Sequence, residues 1–113
     1  MIIVRRCKIA DKDHKRSLRS YVHTNHYKNV ICVAEEWKYL PIDIKIAVIA
    51  HEIGHLLVGN VEHTEHDADK EANKFFDIHI EYKNSKYGKR LQYLSLNDTM
   101  NVLEWLNKNV KFK

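Results

Sequence analysis

The chain has 113 residues, 44% of them hydrophobic, enough for one domain (1–113) with a modest core. Three Gly and one Pro exclude collagen-like, linker-like and low-complexity classes, and no apolar run approaches the ~18 residues of a membrane span. A balance of 19 Lys and Arg against 15 Asp and Glu gives a net charge of +4, without the gathered basic stripe of a nucleic-acid surface.

The opening MIIVRRCKIADKDH puts apolar residues before basic ones, the reverse of a secretory signal, so a cytoplasmic protein is expected. Two cysteines, Cys7 and Cys32, cannot build a disulfide framework and are expected as buried thiols.

Residues 2–9, 17–23 and 29–34 are rich in β-branched residues and alternate with period two, as half-buried strands do. Short polar connections favour antiparallel neighbours, so a small three-stranded antiparallel sheet is predicted. Pro41 suits a helix first turn, and Asp43 stands at its positive dipole end. A nearly all-apolar helix follows over 42–58, stopped by Gly59-Asn60. Residues 60–66 read as polar loop. Ala68, Ala72, Phe75, Phe76 and His79 then recur at helical spacing, predicting a second helix over about 67–82. Residues 83–93 read as irregular. A third helix is expected over 96–108, opened by Ser95 and Asp98 and striped by Leu96, Met100, Leu103 and Leu106, with Val102 and Trp105 off the stripe. The predicted class is α+β.

The chain carries eight histidines, five of them between 51 and 79. His51-Glu52-Ile53-Gly54-His55 is an HExxH motif within the apolar helix. Residues four apart share a helix face, so both imidazoles can reach one Zn²⁺ at about 2.0–2.1 Å. Glu52, about 100° round the helix, stands beside the metal and can hold water there as general base. Three polar groups at the centre of a buried helix carry a desolvation cost, which one metal with its water would explain.

A catalytic zinc takes three protein ligands and keeps one position open. The metzincin pattern fails: Val58 and Val61 stand where Gly and His are required, with Gly59 and His63 displaced. The segment Asp69-Lys70-Glu71-Ala72-Asn73-Lys74-Phe75 resembles the E-x-x-A-D/N segment of gluzincins. The chain is thereby similar to minimal gluzincins of the minigluzincin and selecase kind, and to the catalytic core of phage-element HExxH peptidases that cleave repressors. In that pattern the acid four residues before the Asp/Asn binds zinc and the Asp/Asn supports a ligand histidine. Aligned on Ala72-Asn73, the resemblance implies Asp69 as third ligand and Asn73 behind a histidine. Glu71 is the fallback, about 200° from Asp69 around the helix, and His63 and His66 are further alternatives.

The resemblance implies a zinc-dependent endopeptidase in which Glu52 moves the proton from water to the leaving amine. An oxyanion donor is sought among Tyr82, Tyr87, Tyr93 and His79. The resemblance also implies extended peptide substrate pairing with an edge strand, for which residues 29–34 are the candidate. The alternative is a non-catalytic module in which zinc, closed by His63 or His66 as fourth ligand, stabilises a surface that contacts protein or nucleic acid. A deformylase arrangement would draw its third ligand from Cys32, whose flanks do not match. Exposed edges and the off-stripe Trp105 suggest concentration-dependent self-association.

Overall fold

Strand β1 (Ile2–Arg6) lies in the middle of a four-stranded sheet and pairs parallel on both sides. The computed structural model describes residues 1–6, 21–25, 28–84 and 90–113. β3 (Val30–Val33) is parallel to β1, and β2 (Val22–Asn25) is antiparallel to β3. The last strand, β6 (Val110–Phe112), adds to the other side of β1. The order is β2-β3-β1-β6, a mixed sheet instead of the predicted three-stranded antiparallel one. Parallel neighbours require long crossovers. The chain supplies them between β1 and β3 and through every later element before β6. Residues 7–20, which include Cys7 and the start of the expected second strand, lie outside the described residues.

The strand expected at a substrate edge is interior. Residues 30–33 pair with β1 on one side and β2 on the other, and β2 is the outermost described strand there. All four residues of β3 are buried, which fits a strand with neighbours on both sides.

Helix α1 (Ile42–Val58) follows a short 3-10 turn at Glu35–Tyr39. Pro41 is its N-cap, Asp43 Oδ1 accepts from the Ile44 amide at 2.9 Å, and Gly59 ends it with φ 91. That angle lies in the region glycine enters without steric cost. α1 is buried without a break from Ile46 to Gly54 and touches β2, the second and third helices and the hairpin. His51 and Glu52 therefore sit inside the fold rather than on a solvent face.

Helix α2 (Glu65–Phe76) begins two residues earlier than its apolar spacing indicates, because Thr64 and Asp67 form a capping box. The Asp67 amide donates to Thr64 Oγ1 at 3.1 Å, and the Thr64 amide donates to Asp67 Oδ2 at 2.9 Å. It ends at Asp77 in the left-handed conformation, six residues short of the predicted end. Beyond it the period changes from helical to two: Ile78 and Ile80 are buried, His79 and Glu81 exposed. An antiparallel hairpin, β4 (Glu81–Asn84) with β5 (Arg90–Tyr93), replaces the expected irregular stretch.

Helix α3 (Leu96–Asn109) starts at Ser95, whose Oγ accepts from the Asp98 amide at 3.1 Å. Asp98 itself turns away and accepts from the His79 amide. The predicted stripe is rotated. Thr99, Val102 and Leu106 form the buried face, whereas Leu96 and Met100 are exposed. Trp105 is not a bare surface aromatic: it meets Phe75 and Phe76 edge to face at 5.4 and 5.3 Å, joining α3 to α2. No described helix is long and apolar enough to cross a membrane.

Candidate metal centre

Three side chains converge where α1 and the first turn of α2 meet. His51, His55 and Glu65 place ligand atoms within 4.8 Å of one another and form a group that could hold a metal ion. Glu65 Oε2 lies 2.5 Å from His51 Nε2 and 2.9 Å from His55 Nε2, and the two Nε2 atoms are 3.1 Å apart. The site is graded in exposure: the His51 side chain is 4% exposed, His55 16% and Glu65 76%. One side is therefore walled by the core and the other opens past Glu65.

The helix crossing that builds this group depends on small residues. Gly54, on α1, lies so close to α2 that an added β-carbon would meet the Ala68 carbonyl oxygen and the Ala72 β-carbon. Ala68 and Ala72 are fully buried. Close approach here brings Glu65 and Asp69, four residues apart on one face of α2, to the His51 ring.

Each histidine directs Nδ1 away from the group. His51 Nδ1 donates to Asp69 Oδ1 at 2.6 Å, and Tyr82 donates its hydroxyl to Asp69 Oδ2 at 2.5 Å. Asp69 thus stands behind His51, whereas Glu65 faces the converging nitrogens. Asn73, expected behind a histidine, instead accepts the Ile80 amide at 2.9 Å and fixes the exit from α2. Glu71 is on another side of α2 and is not in the group. His63 approaches from behind His55, with Nε2 2.8 Å from His55 Nδ1, so the His55 ring separates it from the converging atoms. His66 is exposed on α2, and Cys32 is buried in β3; neither belongs to the group.

The E-x-x-A-D/N pattern can also be laid one helical turn earlier, which brings in Glu65. Glu65-His66-Asp67-Ala68-Asp69 carries the same E-x-x-A-D arrangement, with Glu at its head. Its Glu faces the histidine nitrogens and its Asp accepts from His51 Nδ1. The Thr64–Asp67 capping pair was the available signal that Glu65 is helical.

Glu52 is buried at 7% exposure and receives a hydrogen bond from the Thr24 hydroxyl on β2. Of the residues considered as oxyanion donors, Tyr82 is committed to Asp69, and Tyr93 donates to Glu81 Oε2 at 2.6 Å. His79 is exposed and pairs with Glu81 at 3.2 Å, while Tyr87 lies outside the described residues.

Electrostatics follow from this wiring. Burial opposes the charged form of His51, but Asp69 and Glu65 on its two nitrogens, with Glu52 nearby, outweigh it and push His51 up to about 10. Hydrogen bonds from His51 and His55 hold the Glu65 carboxyl well below the usual carboxylate range. Burial, reinforced by the Asp69 carboxylate, pushes the Tyr82 phenol up.

The residues fit a divalent ion. Two imidazole nitrogens and one carboxylate oxygen form a three-ligand donor set of the kind such an ion takes. His55 Nε2 and Glu65 Oε2, 2.9 Å apart, are both atoms that such an ion takes as ligands. No protein-family model, curated protein or solved structure matches this chain.

Proposed function

We propose that the protein is a zinc-dependent endopeptidase of the minimal gluzincin kind, acting on peptide bonds of protein substrates. The observation that supports this reading is the meeting of His51 Nε2, His55 Nε2 and Glu65 Oε2 next to a buried Glu52. Zinc bound there supplies a Lewis acid that polarises the scissile carbonyl and acidifies water. Glu52 accepts the proton of the attacking water and delivers it to the leaving amine. The Thr24 hydroxyl holds one Glu52 oxygen and leaves the other for that work. Asp69, backed by Tyr82, keeps His51 in the tautomer whose Nε2 can ligate. Substrate enters on the open Glu65 side and lies extended on the β2 side of Glu52, gaining affinity from its main chain.

The test is zinc content and casein digestion for wild type and Glu52→Gln. One zinc per chain in both, with cleavage only in wild type, is the expected result. Equal cleavage by the variant overturns the mechanism. Zinc binding without cleavage by either protein, together with unfolding on chelation, would favour the non-catalytic module.

A further inference from the structure

We propose that His63 is the positioning residue of His55, fixing by hydrogen bonding which nitrogen of that ring faces the metal group. The inference rests on the reading that His51, His55 and Glu65 bind a metal. His51 has a carboxylate behind it, whereas His55 has a second imidazole.

The direction of this relay is set at its outer end. His63 Nδ1 lies 2.6 Å from the Val61 carbonyl oxygen, which can only accept, so Nδ1 carries the hydrogen. In a neutral ring His63 Nε2 is then the acceptor. It lies 2.8 Å from His55 Nδ1, which must therefore donate. That leaves His55 Nε2, on the side of Glu65 Oε2 and His51 Nε2, as the nitrogen open to a metal. A backbone carbonyl thus sets the tautomer of a ligand two rings away. Because His63 is anchored to a carbonyl only two residues before it, the relay is assembled within the turn joining α1 to α2.

The same contact explains why a histidine occurs here without joining the ligand set. Its Nε2 is occupied by His55 and its Nδ1 by Val61. Partners behind ligating histidines orient the ring and raise its basicity, and losing one costs about 10- to 100-fold in metal affinity.

The experiment measures the zinc dissociation constant at pH 7.5, by chelator competition, for wild type, His63→Leu and His63→Gln. Leu keeps bulk and removes the acceptor; Gln offers an oxygen at a reach close to that of Nε2. The expected result is binding about 10- to 100-fold weaker for His63→Leu and near wild type for His63→Gln. A long-range ¹H–¹⁵N spectrum of zinc-loaded wild type should show both His55 and His63 protonated at Nδ1, independently of any variant. Zinc bound equally tightly by wild type and His63→Leu, or His63 protonated at Nε2 alone, overturns the proposal. Failure of wild type to bind zinc overturns the metal reading itself and this proposal with it, an outcome distinct from the other two.

Discussion

A β-carbon built on Gly54 would stand 2.0 Å from the carbonyl oxygen of Ala68, so the backbones of α1 and α2 meet with no room for any other residue there. Alanine favours a helix over glycine by about 1 kcal/mol, but overpacking against backbone costs about 1–3 kcal/mol and cannot be relieved by a rotamer change. Net of the two, Gly54→Ala should lower the melting temperature, by up to roughly 10 °C. Because α2 carries both Glu65 and Asp69, the same variant should bind zinc more weakly. Unchanged stability and zinc binding would show that the crossing has more freedom than the contact indicates.

Three of the four acids of α2 should separate by metal content. Glu65→Ala removes a converging oxygen and should leave substoichiometric zinc. Asp69→Ala removes the His51 partner and should weaken zinc about 10- to 100-fold while retaining binding at high concentration. Glu71→Ala should match wild type. A reversed order, with Asp69→Ala the more severe, would return the ligand role to Asp69.

Chelator-treated protein should lose stability as pH rises. His51 is held at about 10, above its ordinary 6.5, so protonation favours the folded state. That contribution is present in full below about 6.5 and is lost as pH climbs toward 10. Thermal melts at pH 6.5 and 9.5 check the sign, and His51→Gln should flatten the difference. Zinc must displace the same proton, so its affinity should increase over this window and calorimetry near pH 8 should register about one proton released. A pH-independent zinc affinity would contradict the charge assigned to His51.

Thr64→Ala removes one arm of the capping box and should cost about 1 kcal/mol. Since Glu65 is the next residue, fraying of this turn should also raise the zinc dissociation constant. Thr64→Ser, which keeps the oxygen, should restore both. A Ser variant no better than Ala would mean that the methyl group, not the hydroxyl, holds the turn.

The residues legible in the sequence were those whose neighbours repeat their message. The α1 helix was readable because its apolar run, Pro41, Asp43 and Gly59 agree on one element and one pair of boundaries. The third side chain was harder. Asp69 ends one copy of E-x-x-A-D/N and begins the next, so the pattern can be laid down in two registers four residues apart. Only the geometry of α2 against Gly54 separates them. Ile78, Ile80 and Tyr82 satisfy a period of two, but His79 also continues the helical spacing of Phe75 and Phe76. The left-handed Asp77 decides between these readings, and Asp declares that conformation far less plainly than Gly. Strand β6 has three residues and no turn before it, so its partner, 108 positions away in the pair Ile2 with Val110, is a property of the fold rather than of any local pattern.

His55 and Glu65 stand at opposite ends of the turn between the two central helices, ten positions apart, and both reach toward one point. An ion seated there would act as a clasp on that turn, in addition to any chemistry it performs. Amide exchange at residues 59–64 should therefore slow when metal is added, and proteolytic nicking of the same stretch should be suppressed with it.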